Sequence, residues 1–121
     1  MLIKDFYTLN DLSVVENSAN AHITINKNHE VFKGHFPGNP VTPGVCMMQI
    51  IKELTEQIVG KSLFMESSSN VKFMAIINPE KTPDLELTLD IVEEDQHYKV
   101  KNTTKFGETV ALKLSMGFKT I

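Results

Sequence analysis

A chain of 121 residues is large enough for one hydrophobic core and small for two, so a single domain spanning residues 1–121 is expected. Its 12 lysines and arginines against 15 aspartates and glutamates leave a net charge of −3, which argues against nucleic acid or an anionic membrane as the main partner. One cysteine excludes an intrachain disulfide, no apolar run is long enough to span a bilayer, and the opening Met-Leu-Ile-Lys-Asp-Phe-Tyr lacks an apolar signal-peptide core; a cytoplasmic protein is expected.

Phe6 to Val15 reads as an extended entry segment, with a turn near Asn17–Asn20. Ala21 to Ile25 reads as a strand, Ile23 and Ile25 on one face and His22 and Thr24 on the other. Glu30 to Phe36 is a loop or short helical turn that tucks Val31, Phe32 and Phe36 inward.

The stretch Lys33-Gly-His-Phe-Pro-Gly-Asn-Pro-Val-Thr-Pro-Gly44 cannot be regular structure. Pro37, Pro40 and Pro43 recur every third residue, each fixing its own φ and pushing its predecessor toward extended geometry. This rigid loop carries His35. Thr42 suits a helix cap and Pro43 the first helical position, and an apolar run follows at once. Gly44, without a side chain, lets a ligand oxygen approach the unpaired N–H groups and the positive end of the helix dipole. A base beside such an oxyanion site fits chemistry next to a carbonyl.

The spacing predicts a helix from about Pro43 to Val59, stopped by Gly60. Val45, Cys46, Met47, Met48, Ile50 and Ile51 surround Gln49, so the first two turns are expected to be buried on every side. The second half is amphipathic, with Lys52 and Glu56 at pairing distance. Cys46 reads as core. His22, His29 and His97 have no ligand-like spacing with His35 or Cys46, and neither a metal nor another cofactor is expected.

Four strand signals follow. Leu63 to Ile77 is the longest, with a bend or bulge at Ser67–Ser69. Leu85, Leu87, Leu89 and Ile91 alternate with Glu86, Thr88 and Asp90; Tyr98, Val100 and Phe106 alternate with lysines; Val110, Leu112, Leu114, Met116 and Phe118 alternate with Ala111, Lys113 and Ser115. Breaks fall at Asn78–Asp84, Glu93–Gln96 and Gly107-Glu108. One helix followed by an antiparallel meander is an α+β pattern.

The motif His35-Phe36-Pro37-x-x-Pro40-x-x-Pro43-Gly44 closely resembles the active-site segment of the 3-hydroxyacyl-acyl-carrier-protein dehydratases of fatty-acid synthesis. The resemblance covers roughly Ala21 to Phe118. It implies a hotdog fold, a curled antiparallel sheet wrapped around one central helix. It implies His35 as the base, the Gly44 and Val45 backbone as the oxyanion and thioester site, and Phe36, Pro37, Pro40 and Pro43 as the loop that shapes it. It also implies an acyl pocket beside the helix that Met47, Met48 and Phe73 line. The implied partners are an acyl thioester on an acyl carrier protein and a second hotdog subunit, identical or related, because each family site takes its histidine from one protomer and its carboxylate from the other.

The family places that carboxylate fourteen positions after the histidine, and here that position holds Gln49. An amide supplies no proton, although its NH₂ can donate a hydrogen bond to a leaving hydroxyl and its carbonyl can orient a water. Unpaired among apolar neighbours, the amide would cost roughly 1–3 kcal/mol, so Gln49 is expected to be hydrogen-bonded and to face a polar cleft. Three activities follow: a slow dehydratase of 3-hydroxyacyl thioesters; an acyl-binding or half-site partner of a related dehydratase; and a hotdog thioesterase in which Gln49 holds the attacking water.

Overall fold

The computed structural model describes residues 5–33 and 41–121. His35, Phe36, Pro37 and Pro40 therefore lie outside the described residues. Alternating side chains become six strands: β1 (Tyr7–Val15), β2 (Ser18–Ile25), β3 (Leu63–Phe73), β4 (Asp84–Glu94), β5 (His97–Phe106) and β6 (Thr109–Thr120). A 3-10 turn at Glu30–Lys33 and one helix, α1 (Gly44–Val59), separate β2 from β3. All strands join one antiparallel sheet in the order β1-β2-β4-β5-β6-β3. The chain leaves the helix and crosses to the far edge, so β3 pairs with the last strand and not with β2. This is the hotdog arrangement, a curled sheet around one helix.

The helix faces the sheet with Cys46, Met47, Ile50, Ile51, Leu54 and Thr55, spaced at 3.6-residue periodicity. They share a core with Ile23, Leu87, Leu89, Val100, Leu112 and Phe118, among others. Each large apolar side chain so buried contributes about 1.5–3 kcal/mol relative to exposure. At the entry, Phe6 stacks on Phe32 with ring centroids 5.6 Å apart. Gly60 ends the helix at φ 71°, a conformation glycine adopts freely, and its N–H bonds Glu56 O at 2.9 Å. Glu56 also accepts from Leu63 N at 2.8 Å and pairs with Lys52 at 3.7 Å, which ties the helix end to β3.

Several expectations are corrected. The turn is tighter than Asn17–Asn20: β2 begins at Ser18, and Asn20 is a strand residue whose amide donates to Glu86 across the sheet at 3.3 Å. Pro43, not Thr42, is the N-cap, because its extended backbone presents the carbonyl that Cys46 N and Met47 N both reach, at 3.1 and 3.2 Å. Thr42 is held instead by its own N–H on Ile77 O at 2.9 Å. The first helical turns are not buried on every side, since Val45 is 68% exposed.

β3 stops at Phe73, where the Met74 and Ala75 N–H groups both turn to Ala111 O. The expected irregularity at its centre is two register shifts, between Met65 and Ser67 and between Ser69 and Lys72. In β5 the inward row runs through Asn102 and Thr104, both buried, which satisfy each other at 2.9 Å while Asn102 also donates to Thr88 O at 3.2 Å. In β6 the alternation fails at Ala111 and Leu112, both fully buried, beside a register shift between Thr104 and Lys105 on β5.

Candidate active site

The chain enters α1 through Val41-Thr42-Pro43, fixed by the Thr42–Ile77 bond. Proline has no N–H, and Cys46 and Met47 already use the Pro43 carbonyl. The Gly44 and Val45 N–H groups are left without a protein acceptor among the described residues. They sit at the positive end of a 16-residue helix and form an anion-receptive pair.

Beside them opens a cavity of about 460 Å³, lined by Val41, Thr42, Gly44, Phe73, Met74 and Ile76, among others. Gly44 and Phe73 approach closely: a Cβ on the glycine would stand 2.9 Å from Phe73 Cζ, so the ring would have to shift. Phe73 walls the cavity. Met47 is completely buried in the core and Met48 half-buried, and neither lines this cavity. Thr42 Oγ1 is buried without a hydrogen-bond partner among the described residues.

Gln49 lies one turn beyond Val45 on the same, outer side of the helix and is half-buried. It is hydrogen-bonded, as its chemistry demanded, but the partner is one that sequence reasoning left among the solvated helix residues. Gln49 Nε2 donates to Glu53 Oε2 at 2.9 Å, and Tyr7 Oη donates to Glu53 Oε1 at 3.0 Å. Burial first, and the Glu53 charge second, raise the Tyr7 hydroxyl well above the ordinary tyrosine range, so it stays a donor. The i,i+4 spacing of Gln49 and Glu53 carried a signal for this contact. Tyr7 arrives from 46 residues away in sequence and carried none.

The other sequence candidates go elsewhere. Burial pushes the Cys46 thiol up, as befits a core cysteine. His22 pairs with Glu86 at 2.9 Å and His97 with Glu66 at 2.7 Å, both on the sheet's solvent side. His29 packs edge-on to Phe6 and accepts from Val31 N at 3.1 Å. No described helix is long and apolar enough to cross a membrane.

One helix wrapped by a curled sheet, with an apolar cavity beside Gly44 at the helix start, defines a hotdog-fold protein. The family model for ApeI-like proteins, described as ApeI dehydratase, matches residues 12–112. A protein of Lactobacillus helveticus named 3-hydroxyacyl-[acyl-carrier-protein] dehydratase FabZ is 32% identical over 104 residues, covering 80% of this chain and 68% of that protein. Its namesake in Rickettsia bellii is 35% identical over 109 residues, covering 80% and 70%. The chain belongs to the ApeI-like family of hotdog-fold 3-hydroxyacyl-thioester dehydratases. Among solved structures, the dehydratase heterocomplex ApeI:P from Xenorhabdus doucetiae superposes with a TM-score of 0.74 at 17% identity, over 93% of this chain and 96% of that one. A Helicobacter felis homologue of HP0420 gives 0.71 at 12% identity, over 99% and 93%. Both share the fold.

Proposed function

We propose that this protein dehydrates 3-hydroxyacyl thioesters presented on an acyl carrier protein. The observation that carries the reading is the free N–H pair of Gly44 and Val45, set at the end of the His35 motif and beside the Phe73 cavity. In this reading His35 removes a proton from the carbon next to the thioester carbonyl, and the Gly44 N–H stabilises the enolate oxygen that forms. The 3-hydroxyl then leaves as water while the carbon–carbon double bond forms. Gln49 has no proton to give, so the proton that joins the departing hydroxyl is the one His35 took. General acid help is worth about 10²–10⁴-fold, and its absence makes this a slow dehydratase.

A second hotdog subunit belongs to the same reading. The free edge of the sheet, β3 and the segment after it, exposes Phe64, Met65, Val71, Phe73, Met74 and Ile76. An identical or related chain would cover it, and the heteromeric assembly of the Xenorhabdus protein supports including a related one. A partner that brings a carboxylic acid would complete a site that this chain fills only with an amide.

The test uses a purified 3-hydroxyacyl thioester with the free protein. Slow 2-enoyl product, abolished by His35→Ala, is expected, from a species that light scattering at micromolar concentration finds to be at least a dimer. Release of free thiol without enoyl absorbance would make it a thioesterase. Binding without either product would make it a partner subunit.

A further inference from the structure

Gln49 alone looks like a loss, a neutral amide where the related enzymes carry an acid. Its surroundings supply the missing charge one turn away. A carboxylate only accepts hydrogen bonds, so a Gln49–Glu53 contact fixes which end of the amide faces Glu53. The nitrogen must point there, as it does at 2.9 Å, and the oxygen must point away. The other Glu53 oxygen is held by Tyr7 at 3.0 Å, from a strand at the opposite edge of the sheet to β3. The carboxylate is therefore gripped from two sides and cannot swing to a new partner without breaking a charge-assisted bond.

The helix geometry separates the roles. Gln49 lies about 7.5 Å along the axis from Gly44, and Glu53 about 6 Å further. In the paired site that the resemblance implies, with the histidine from one protomer and the helix position of Gln49 from the other, Gln49 would meet a ligand held by the partner protomer, and Glu53, a full turn further along the helix, stands too far behind it. Glu53 can act on such a ligand only through Gln49. Donation of one N–H to a carboxylate also draws electron density toward the amide oxygen and strengthens it as an acceptor.

We propose that Glu53, anchored by Tyr7, is a positioning residue that turns the Gln49 amide so that its oxygen and its remaining N–H meet the 3-hydroxyl of a bound 3-hydroxyacyl thioester. The inference rests on the reading of Gln49 as a site residue. It makes Gln49 a built recognition group for a hydroxyl, an acceptor and a donor in fixed orientation, where a lone amide would rotate freely between the two.

The experiment measures affinity and not turnover, so it stands even if no dehydration occurs. The probes are a 3-hydroxyacyl pantetheine thioester and its saturated analogue lacking the hydroxyl, with binding followed by calorimetry. The native protein should prefer the hydroxylated probe about 5- to 10-fold, the worth of one hydrogen bond. Glu53→Leu, which cannot accept, should reduce the preference to within about twofold while the saturated analogue binds as before. Glu53→Gln still accepts through its amide oxygen and should keep most of the preference, a rescue that a merely structural role of the charge does not predict. Tyr7→Phe, remote from the ligand, should fall between them and covers the case that Glu53→Leu fails to fold. A native protein that binds both probes equally, or a folded Glu53→Leu that keeps the full preference, would overturn the inference. Absence of 2-enoyl product alongside an intact preference would instead overturn the dehydratase reading and leave this one in place.

Discussion

The ring of Phe73 lies so close to Gly44 that a single added methyl group on the glycine would stand 2.9 Å from its Cζ. The obstacle is the tip of a half-exposed side chain and not backbone, so the ring can move. Gly44→Ala should therefore fold, with stability within about 1 kcal/mol of the native chain, because alanine also favours the helix. The displaced ring and the new methyl group both crowd the free N–H pair. Thioester binding or turnover should drop at least about tenfold. Chemical denaturation and a binding titration on the same sample separate the two effects.

Gln49→Glu should raise dehydratase turnover, by up to roughly 10²-fold if His35 is in place. The new carboxyl would face Glu53, which now accepts from the amide at 2.9 Å. Two carboxyls at that distance cannot both be ionised cheaply, so the pair retains a shared proton, and the substitution restores an acid by the same contact that orients the amide. The helix dipole favours the ionised form but is weakest away from the first turn. Unchanged turnover in a folded dimer would show that the acid is not what limits this protein.

Thr42→Val should stabilise the fold by about 1 kcal/mol, because the threonine hydroxyl is buried without a partner among the described residues and valine fills the same volume. The backbone bond to Ile77 is untouched by the change. Thermal unfolding reads it directly, and a loss of stability would mean that the hydroxyl has a partner in the working protein.

Glu86 accepts from His22 and Lys105, in that order of effect, and its carboxyl is held down at about 2 against an ordinary 4.5. A depressed carboxylate stabilises the folded chain above its unfolded value and stops doing so as pH falls through the folded one. Glu86→Gln should lower the unfolding midpoint at pH 7, and the gap to the native chain should close between about pH 4.5 and 2. The group is near the surface, so 1 M salt should shrink the gap as well. Urea unfolding at three pH values is sufficient.

The sheet was legible because strict alternation survives wherever one strand face meets the helix, as in Leu85, Leu87 and Leu89. It blurred where the structure departs from period two: at Ala111 and Leu112 beside a bulge, and in β5, where Asn102 and Thr104 bond each other inside the core and look like solvent residues in a string of letters. The helix ends were readable to a residue, but not the cap, since Thr42 is diverted by a bond to Ile77 that no local pattern announces. At the candidate site, Gly44 was marked by the motif and Gln49 by its spacing from His35. Glu53 stood at i,i+4 spacing from Gln49, but a lone Glu on an amphipathic helix reads as a solvated charge, and Tyr7 was not marked because it arrives by tertiary contact.

The two register breaks in β3 bear on how this molecule behaves in a crowded cell. A long, regular, apolar edge strand invites any other strand, and such edges seed fibrils. Here the invitation is conditional. Within 11 residues the pleat slips twice, so hydrogen-bonding groups along the free edge come in short stretches out of phase with one another. A foreign strand with an even pleat can match one stretch at a time, whereas a chain carrying the same breaks in reverse order can match them all. The irregularities that cost β3 ladder bonds thus limit which strands its edge can accept.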